Sequence, residues 1–164
     1  MFAYALFETA IGRCALAWGP RGIIGVQLPE RTPEATRIRL MRLCPNAEEL
    51  EPPKQIARAI EDISALLRGE KKSLRTIQLD MSRVPAFNAR VYETTRAIAP
   101  GATRTYGEVA RAIGQPDGAR AVGQALGRNP FAIVVPCHRV VGANDRLVGF
   151  SANGGIKTKL KMLK

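Results

Sequence analysis

Short apolar runs broken by glycine open the chain. Phe2-Ala3-Tyr4-Ala5-Leu6-Phe7, Cys14-Ala15-Leu16-Ala17-Trp18 and Ile23-Ile24-Gly25-Val26 are separated by Gly12 and by the turn Gly19-Pro20-Arg21-Gly22. Runs of this length between tight turns predict three strands of a small antiparallel meander. The period then lengthens. Residues 33–43 and 53–67 read as helices, each with a proline near its start, and Gly69 closes the second. Ile77-Gln78-Leu79 is expected to add one more short strand.

From Pro85 onward the pattern is helical and tightly punctuated. Phe87, Val91, Thr95 and Ile98 fall at three-to-four spacing, and Pro100-Gly101 ends that helix. Thr105-Tyr106-Gly107-Glu108 is a capping box, in which the threonine hydroxyl bonds the Glu108 amide and the carboxylate reaches back. The helix it starts runs through Val109, Ala110 and Ile113 to Gly114. A turn over 115–118 leads to a second helix from Ala119 to Arg128, with Pro116 suited to a first helical position. Two short helices joined this way read as a helix-turn-helix. Phe131-Ala132-Ile133-Val134-Val135 then reads as a buried strand that stops at Pro136. The whole is an α/β (α+β) chain in two parts: an N-terminal scaffold over 1–80 and a mostly helical C-terminal part over 81–164.

The helix from Ala119 has two unlike faces when wound at about 100° per residue. Val122, Ala125 and Leu126 cluster on one side and are expected to face the core. Arg120, Gly123, Gln124, Gly127 and Arg128 form the other. Each glycine costs such a helix roughly 1 kcal/mol relative to alanine, so their presence needs a reason. Two are open: close approach of the backbone to a nucleic acid, with the arginines reaching past it, or close packing on another helix.

Charge favours the first. The chain carries 25 Lys and Arg against 14 Asp and Glu, a net charge of +11. Residues 100–164 hold ten basic and only three acidic side chains. Such an excess points to a polyanionic partner, because cations near phosphates release condensed counterions. No apolar run approaches the ~18 residues that cross a bilayer, and no signal pattern opens the chain, so a soluble cytoplasmic protein without a membrane partner is expected. Cys14, Cys44 and Cys137 show neither CxxC spacing nor partner histidines. No metal site and no disulfide framework are expected from them.

The candidate chemistry lies in Val135-Pro136-Cys137-His138-Arg139, which sets a thiol beside the only histidine in the chain. A structural cysteine at a strand end is one reading, and an activated nucleophile is the other. Arg104-Thr105-Tyr106-Gly107-Glu108-Val109-Ala110, Ala119-Arg120-Ala121-Val122-Gly123, Asn129-Pro130 and Ile133-Val134-Val135-Pro136-Cys137-His138-Arg139-Val140-Val141 occur in fixed order. Together they closely resemble the O6-alkylguanine-DNA alkyltransferases, also called methylated-DNA–protein-cysteine methyltransferases. The resemblance is dense from about residue 85 to 163 and vague before it. Pro-Cys-His-Arg with the upstream Asn-Pro is its most specific part.

The resemblance implies a ribonuclease-H-like α/β shape for the N-terminal domain. It also implies direct reversal of DNA damage by a monomer that needs no cofactor and works on chromosomal DNA. The alkyl group of O6-alkylguanine in duplex DNA, with O4-alkylthymine as a further substrate, would pass irreversibly to Cys137. His138 would act on the thiol through a bridging water, Asn129 would hold the active-site loop, and Tyr106 would donate to the departing guanine and crowd the phosphate beside it. Arg120 would fill the gap left by the flipped nucleotide, with Ala119, Gly123, Gln124 and Arg128 beside it on a helix laid in the minor groove. Pro136, Val140, Ser151 and Lys159 would line the pocket for the base.

Two departures stand out. The family usually has Gly-(Tyr/Phe)-(Ser/Ala)-Gly-Gly, whereas this chain reads Gly149-Phe150-Ser151-Ala152-Asn153-Gly154-Gly155, two residues longer. The glutamate that supports the family's histidine would fall two residues beyond Lys164, and no acidic residue follows Asp145. Two other classes share parts of the pattern. Non-catalytic alkyltransferase-like lesion binders typically replace the cysteine that stands here as Cys137. A transcription regulator would read the major groove with a glycine-poor helix.

Overall fold

The three apolar runs at the N-terminus pair as an antiparallel meander of β1 (Ala3–Thr9), β2 (Gly12–Gly19) and β3 (Gly22–Gln27). A computed structural model describes residues 2–142 of the chain. Contacts divide the chain into two units, Met1–Met81 with Pro130–Val134, and Ser82–Asn129 with the chain from Val135.

In the first unit β1 and β2 run in register from Ala3 opposite Trp18 to Thr9 opposite Gly12. Gly22 takes φ +121 with the Gln78 carbonyl so near that a Cβ would lie 2.6 Å from its oxygen, which only glycine tolerates. A fourth strand, β4 (Glu48–Glu49), adds in parallel to β1, so the sheet order is β3-β2-β1-β4. Sequence patterning misses β4, because two exposed acidic residues carry no apolar signal. Backbone bonds hold it, with the Glu48 amide on the Phe2 carbonyl and the Leu50 amide on that of Tyr4, both at 3.1 Å, and the Tyr4 hydroxyl donates to the Glu49 carboxylate at 3.5 Å.

Both expected helices of this unit form. α1 (Pro33–Leu43) starts at Thr32, whose hydroxyl accepts from the Ala35 amide at 3.0 Å. Small side chains on β2 leave room for it: Ala15 and Ala17 form a core with Leu40, Cys44, Tyr4 and Ile24. α2 (Lys54–Leu67) follows Pro53 and buries Ile56, Ala59 and Ile63. Residues 77–79 contribute only a bridge, Ile23 to Leu79, in place of a strand.

Phe131 to Val135 does not form the expected strand. The Val26 amide donates to the Pro130 carbonyl at 2.8 Å, and one bridge joins Val26 to Phe131. The chain then folds about Ile133, where φ is +74 and the Val134 amide closes on the Ala132 carbonyl at 2.9 Å. This is the γ-turn of positive φ, a rare and strained form, and the strain is sharper for a β-branched side chain. Phe131, Ile133, Val134 and Val135 are all buried. Burial accounts for their apolar character without a strand, since consecutive apolar residues do not by themselves specify one.

The second unit is built on α3 (Ala86–Arg96), α4 (Tyr106–Ala112) and α5 (Ala119–Gly127), which pack pairwise on one another. α3 ends short of Ile98, because Ala97 and Ile98 close on Thr94 and Thr95 in tighter three-residue steps. The capping box is present: Thr105 accepts from the Glu108 amide at 3.0 Å, and Glu108 accepts from the Thr105 amide at 2.8 Å. Pro116 does not begin α5. It lies in the turn after Gly114, and Gly118 caps the helix. Val122, Ala125 and Leu126 are buried as the wheel predicts. Two short strands, β5 (Arg104–Thr105) and β6 (Val140–Val141), pair in parallel. Among the described residues no helix is long and apolar enough to cross a membrane.

Candidate active site

The loop that carries Cys137 is fixed by its own backbone. The Asn129 amide bonds the Leu126 carbonyl at 3.2 Å as α5 ends. Its side-chain Nδ2 donates to the Val135 carbonyl at 3.0 Å. That same carbonyl accepts the Cys137 amide at 2.7 Å, closing a three-residue turn about Pro136. Pro136 has φ −78 and ψ 66, the dihedrals of the relaxed inverse γ-turn, and its ring presets that φ. Asn129 and Pro136 therefore fix where the Cys137 backbone begins.

Cys137–Arg139 forms a 3-10 turn. His138 is buried within it. Arg139 also turns inward, and its Nη1 donates to the Ile98 carbonyl at 2.8 Å. Burial lowers the pKa of this guanidinium from its ordinary value. The turn leads into β6, where Val140 pairs with Arg104 and Val141 with Thr105. That pairing brings the start of α4, and so Tyr106, towards the thiol.

Electrostatics reports the proximity. The Tyr106 hydroxyl is held above its ordinary pKa by burial first and then by the negative charge of a Cys137 thiolate. Tyr92 is pushed up to about 12, again by burial first, with a hydrogen bond to Asn88 opposing and the Cys137 charge adding. Both phenols stay protonated at neutral pH and are available as donors. The three thiols differ sharply. Cys14 and Cys44 are buried and Cys137 is half-exposed. Burial drives the Cys14 thiol up to about 11, which keeps it protonated near neutral pH.

On α5, Arg120, Gln124, Gly127 and Arg128 are exposed, while Ala119 and Gly123 are half-buried. Gly123 faces Tyr106, and a Cβ there would lie 3.9 Å from the ring. A Cβ on Gly127 would meet nothing within 4 Å. Packing inside the protein thus touches one of the two glycines, and the remainder of the face is open. Pro136 and Val140 are buried. Ser151, Lys159 and the whole of 149–155 lie outside the described residues. No group of His, Cys, Asp and Glu that could hold a metal ion occurs among the described residues.

Sequence reasoning missed two members of this site. Arg139 was visible only as part of a motif, with no hint that its guanidinium serves a buried carbonyl. Tyr92 was passed over although it adjoins Val91 on the buried stripe of α3; a tyrosine placed there must find a partner for its hydroxyl, which is the signal that could have found it.

Comparison with known proteins gives a consistent picture. Residues 86–164 match the family described as 6-O-methylguanine DNA methyltransferase, DNA binding domain. A methylated-DNA–protein-cysteine methyltransferase of Mycolicibacterium paratuberculosis is 37% identical over 163 residues, covering 99% of this chain and 91% of the relative. Among solved structures, an O6-methylguanine methyltransferase of Mycobacterium tuberculosis superposes with a TM-score of 0.79 at 36% identity, over 99% of this chain and 91% of that one. The Mycobacterium tuberculosis OGT in complex with DNA gives 0.78 at 33% identity, over 98% and 90%.

Proposed function

Because the chain belongs to the methylated-DNA–protein-cysteine methyltransferase family, we propose that it repairs O6-alkylguanine in duplex DNA by moving the alkyl group to Cys137. The Cys137 sulfur attacks the alkyl carbon in line. A carbon–sulfur bond forms as the carbon–O6 bond breaks; the electron pair left on guanine is met by a proton from Tyr106, and the thiol proton carried off by His138 returns to restore the phenol. The thioether has no easy hydrolysis, so each molecule reacts once and needs no cofactor. O4-alkylthymine offers the same kind of carbon and is taken as a second substrate.

The observation that carries this reading is the contrast among the three thiols. Cys137 alone of the three is not buried, and its backbone is held by Asn129 through Val135. His138, next in the 3-10 turn, takes the thiol proton through a bridging water. Tyr106, with its raised pKa, keeps its proton for the leaving base.

Reaching the thiol requires the damaged nucleotide to leave the stack, at a cost of roughly a few kcal/mol. Arg120, exposed in the first turn of α5, enters the duplex and occupies the vacated space. Ala119, Gly123, Gln124 and Arg128 line the same face. The minor groove is only about 6 Å wide, so glycines are favoured on a helix that must approach it. Gly118 provides no side-chain cap, which leaves first-turn amides of α5 for a phosphate. Pro136 and Val140, with Ser151 and Lys159, bound the space for the base. The protein acts as a monomer in the cytoplasm, where it meets chromosomal DNA.

Intact-mass analysis after incubation with a duplex containing O6-methylguanine tests the proposal. A gain of one methyl group that is lost in Cys137→Ser supports it. DNA binding without any gain in mass would identify a lesion binder instead.

A further inference from the structure

We infer that Tyr92 is a positioning residue for the transfer, tying the C-terminal end of α5 to the loop that holds the thiol. The inference rests on the proposed reaction. Tyr92 lies on α3 and is 1% exposed. Its hydroxyl donates to the Ala125 carbonyl at 2.6 Å, and that carbonyl also accepts the Arg128 amide at 3.1 Å. Ala125 belongs to the last turn of α5, where carbonyls lack helical partners and the end would otherwise fray. A buried donor pins it.

The consequence passes along a short run of polar contacts. One residue after Ala125, the Leu126 carbonyl takes the Asn129 amide at 3.2 Å. Asn129 then donates through its side chain to Val135 at 3.0 Å, and the Cys137 amide closes on the same Val135 oxygen at 2.7 Å. The stretch begins at the Tyr92 hydroxyl and ends at the backbone of the nucleophile. Its middle is the end of the helix whose outer face meets DNA. Displacement at carbon is sensitive to misplacement of the attacking atom by as little as about 1 Å, so loosening the helix end is felt at the sulfur. Tyr92 bonds no reacting atom in this scheme; its hydroxyl also bonds Asn88 and senses the Cys137 charge, while its positioning effect travels through Asn129.

Single-turnover rates with O6-methylguanine duplex decide the matter for the wild type, Tyr92→Phe, Asn129→Ser and the double variant, with DNA affinity measured beside them. Tyr92→Phe removes one hydroxyl and keeps the ring. The expected result is a roughly fivefold lower rate constant at saturating duplex, the equivalent of one buried hydrogen bond, with unchanged affinity. The double variant should be no slower than Asn129→Ser alone, since both changes cut the same connection. Thr95→Val removes another buried hydroxyl of α3, one that bonds only the Val91 carbonyl of its own helix, and should leave the rate constant unchanged. An unaltered rate in Tyr92→Phe, multiplying losses in the double variant, or an equal loss in Thr95→Val would each overturn the inference. Failure of the wild type to transfer at all would instead overturn the proposed reaction.

Discussion

The first unit pairs several of its arginines with acids and buries its two thiols, whereas the second leaves the arginines of one helix and its thiol accessible. Arg13 faces Glu8, Arg37 faces Glu34, Arg39 faces Glu30 and Arg68 faces Glu61 and Glu70. On α5, by contrast, Arg120 and Arg128 stand exposed beside two glycines. Cys14 and Cys44 pack in the core, while Cys137 is half-exposed on a turn. The same residue types are therefore paired or buried in one unit and exposed or half-exposed in the other. Local rules fail mainly in and near the second: glycine in a helix, inward arginine, and a strained isoleucine just before the site.

Substitutions can break or sharpen this contrast. Arg120→Ala should reduce repair of duplex DNA by roughly 30- to 100-fold, in line with the few kcal/mol of flipping that it offsets. Its reaction with free O6-benzylguanine should change little; parallel kinetics on the two substrates check this, and equal losses would remove the arginine from flipping. In the first unit, Cys44→Ser should lower stability by about 1–3 kcal/mol through burial of a hydroxyl, with the transfer rate intact. Denaturant titration beside a rate measurement tests that separation.

Gly127→Ala should move the two properties in opposite directions. A Cβ there meets nothing within 4 Å, so the helix gains up to about 1 kcal/mol of stability while affinity for DNA falls. Thermal melting and a binding titration read both signs. The smallest effect concerns the capping box. Hydrogen bonds from Thr105 hold the exposed Glu108 carboxyl below its ordinary pKa. A carboxylate lowered in the folded state adds stability above its unfolded pKa and loses it as pH falls through the folded value. Glu108→Gln should therefore flatten this acid limb of the melting profile without affecting the neutral region.

Much of the fold was legible because its elements obey local rules. Glycine turns mark the meander, Pro33 and Pro53 mark helix starts, and Thr105 with Glu108 announces α4. What escaped was held by contacts that carry no pattern. β4 consists of two acidic residues held mainly by the amides of Glu48 and Leu50, and Ile133 sits in a turn that an apolar run cannot distinguish from a strand. The candidates Cys137, His138, Asn129, Tyr106 and Arg120 were named by the motif alone. Tyr92 was not, because its hydroxyl bonds a carbonyl 33 positions away.

The central claim is that one of three thiols is the acceptor. Incubation with a duplex bearing O6-[13C]methylguanine, followed by peptide mapping, tests it most directly. One label per molecule is expected, confined to the peptide containing Cys137. Label on the Cys14 or Cys44 peptides, or none on any of the three while the lesion persists, would contradict it.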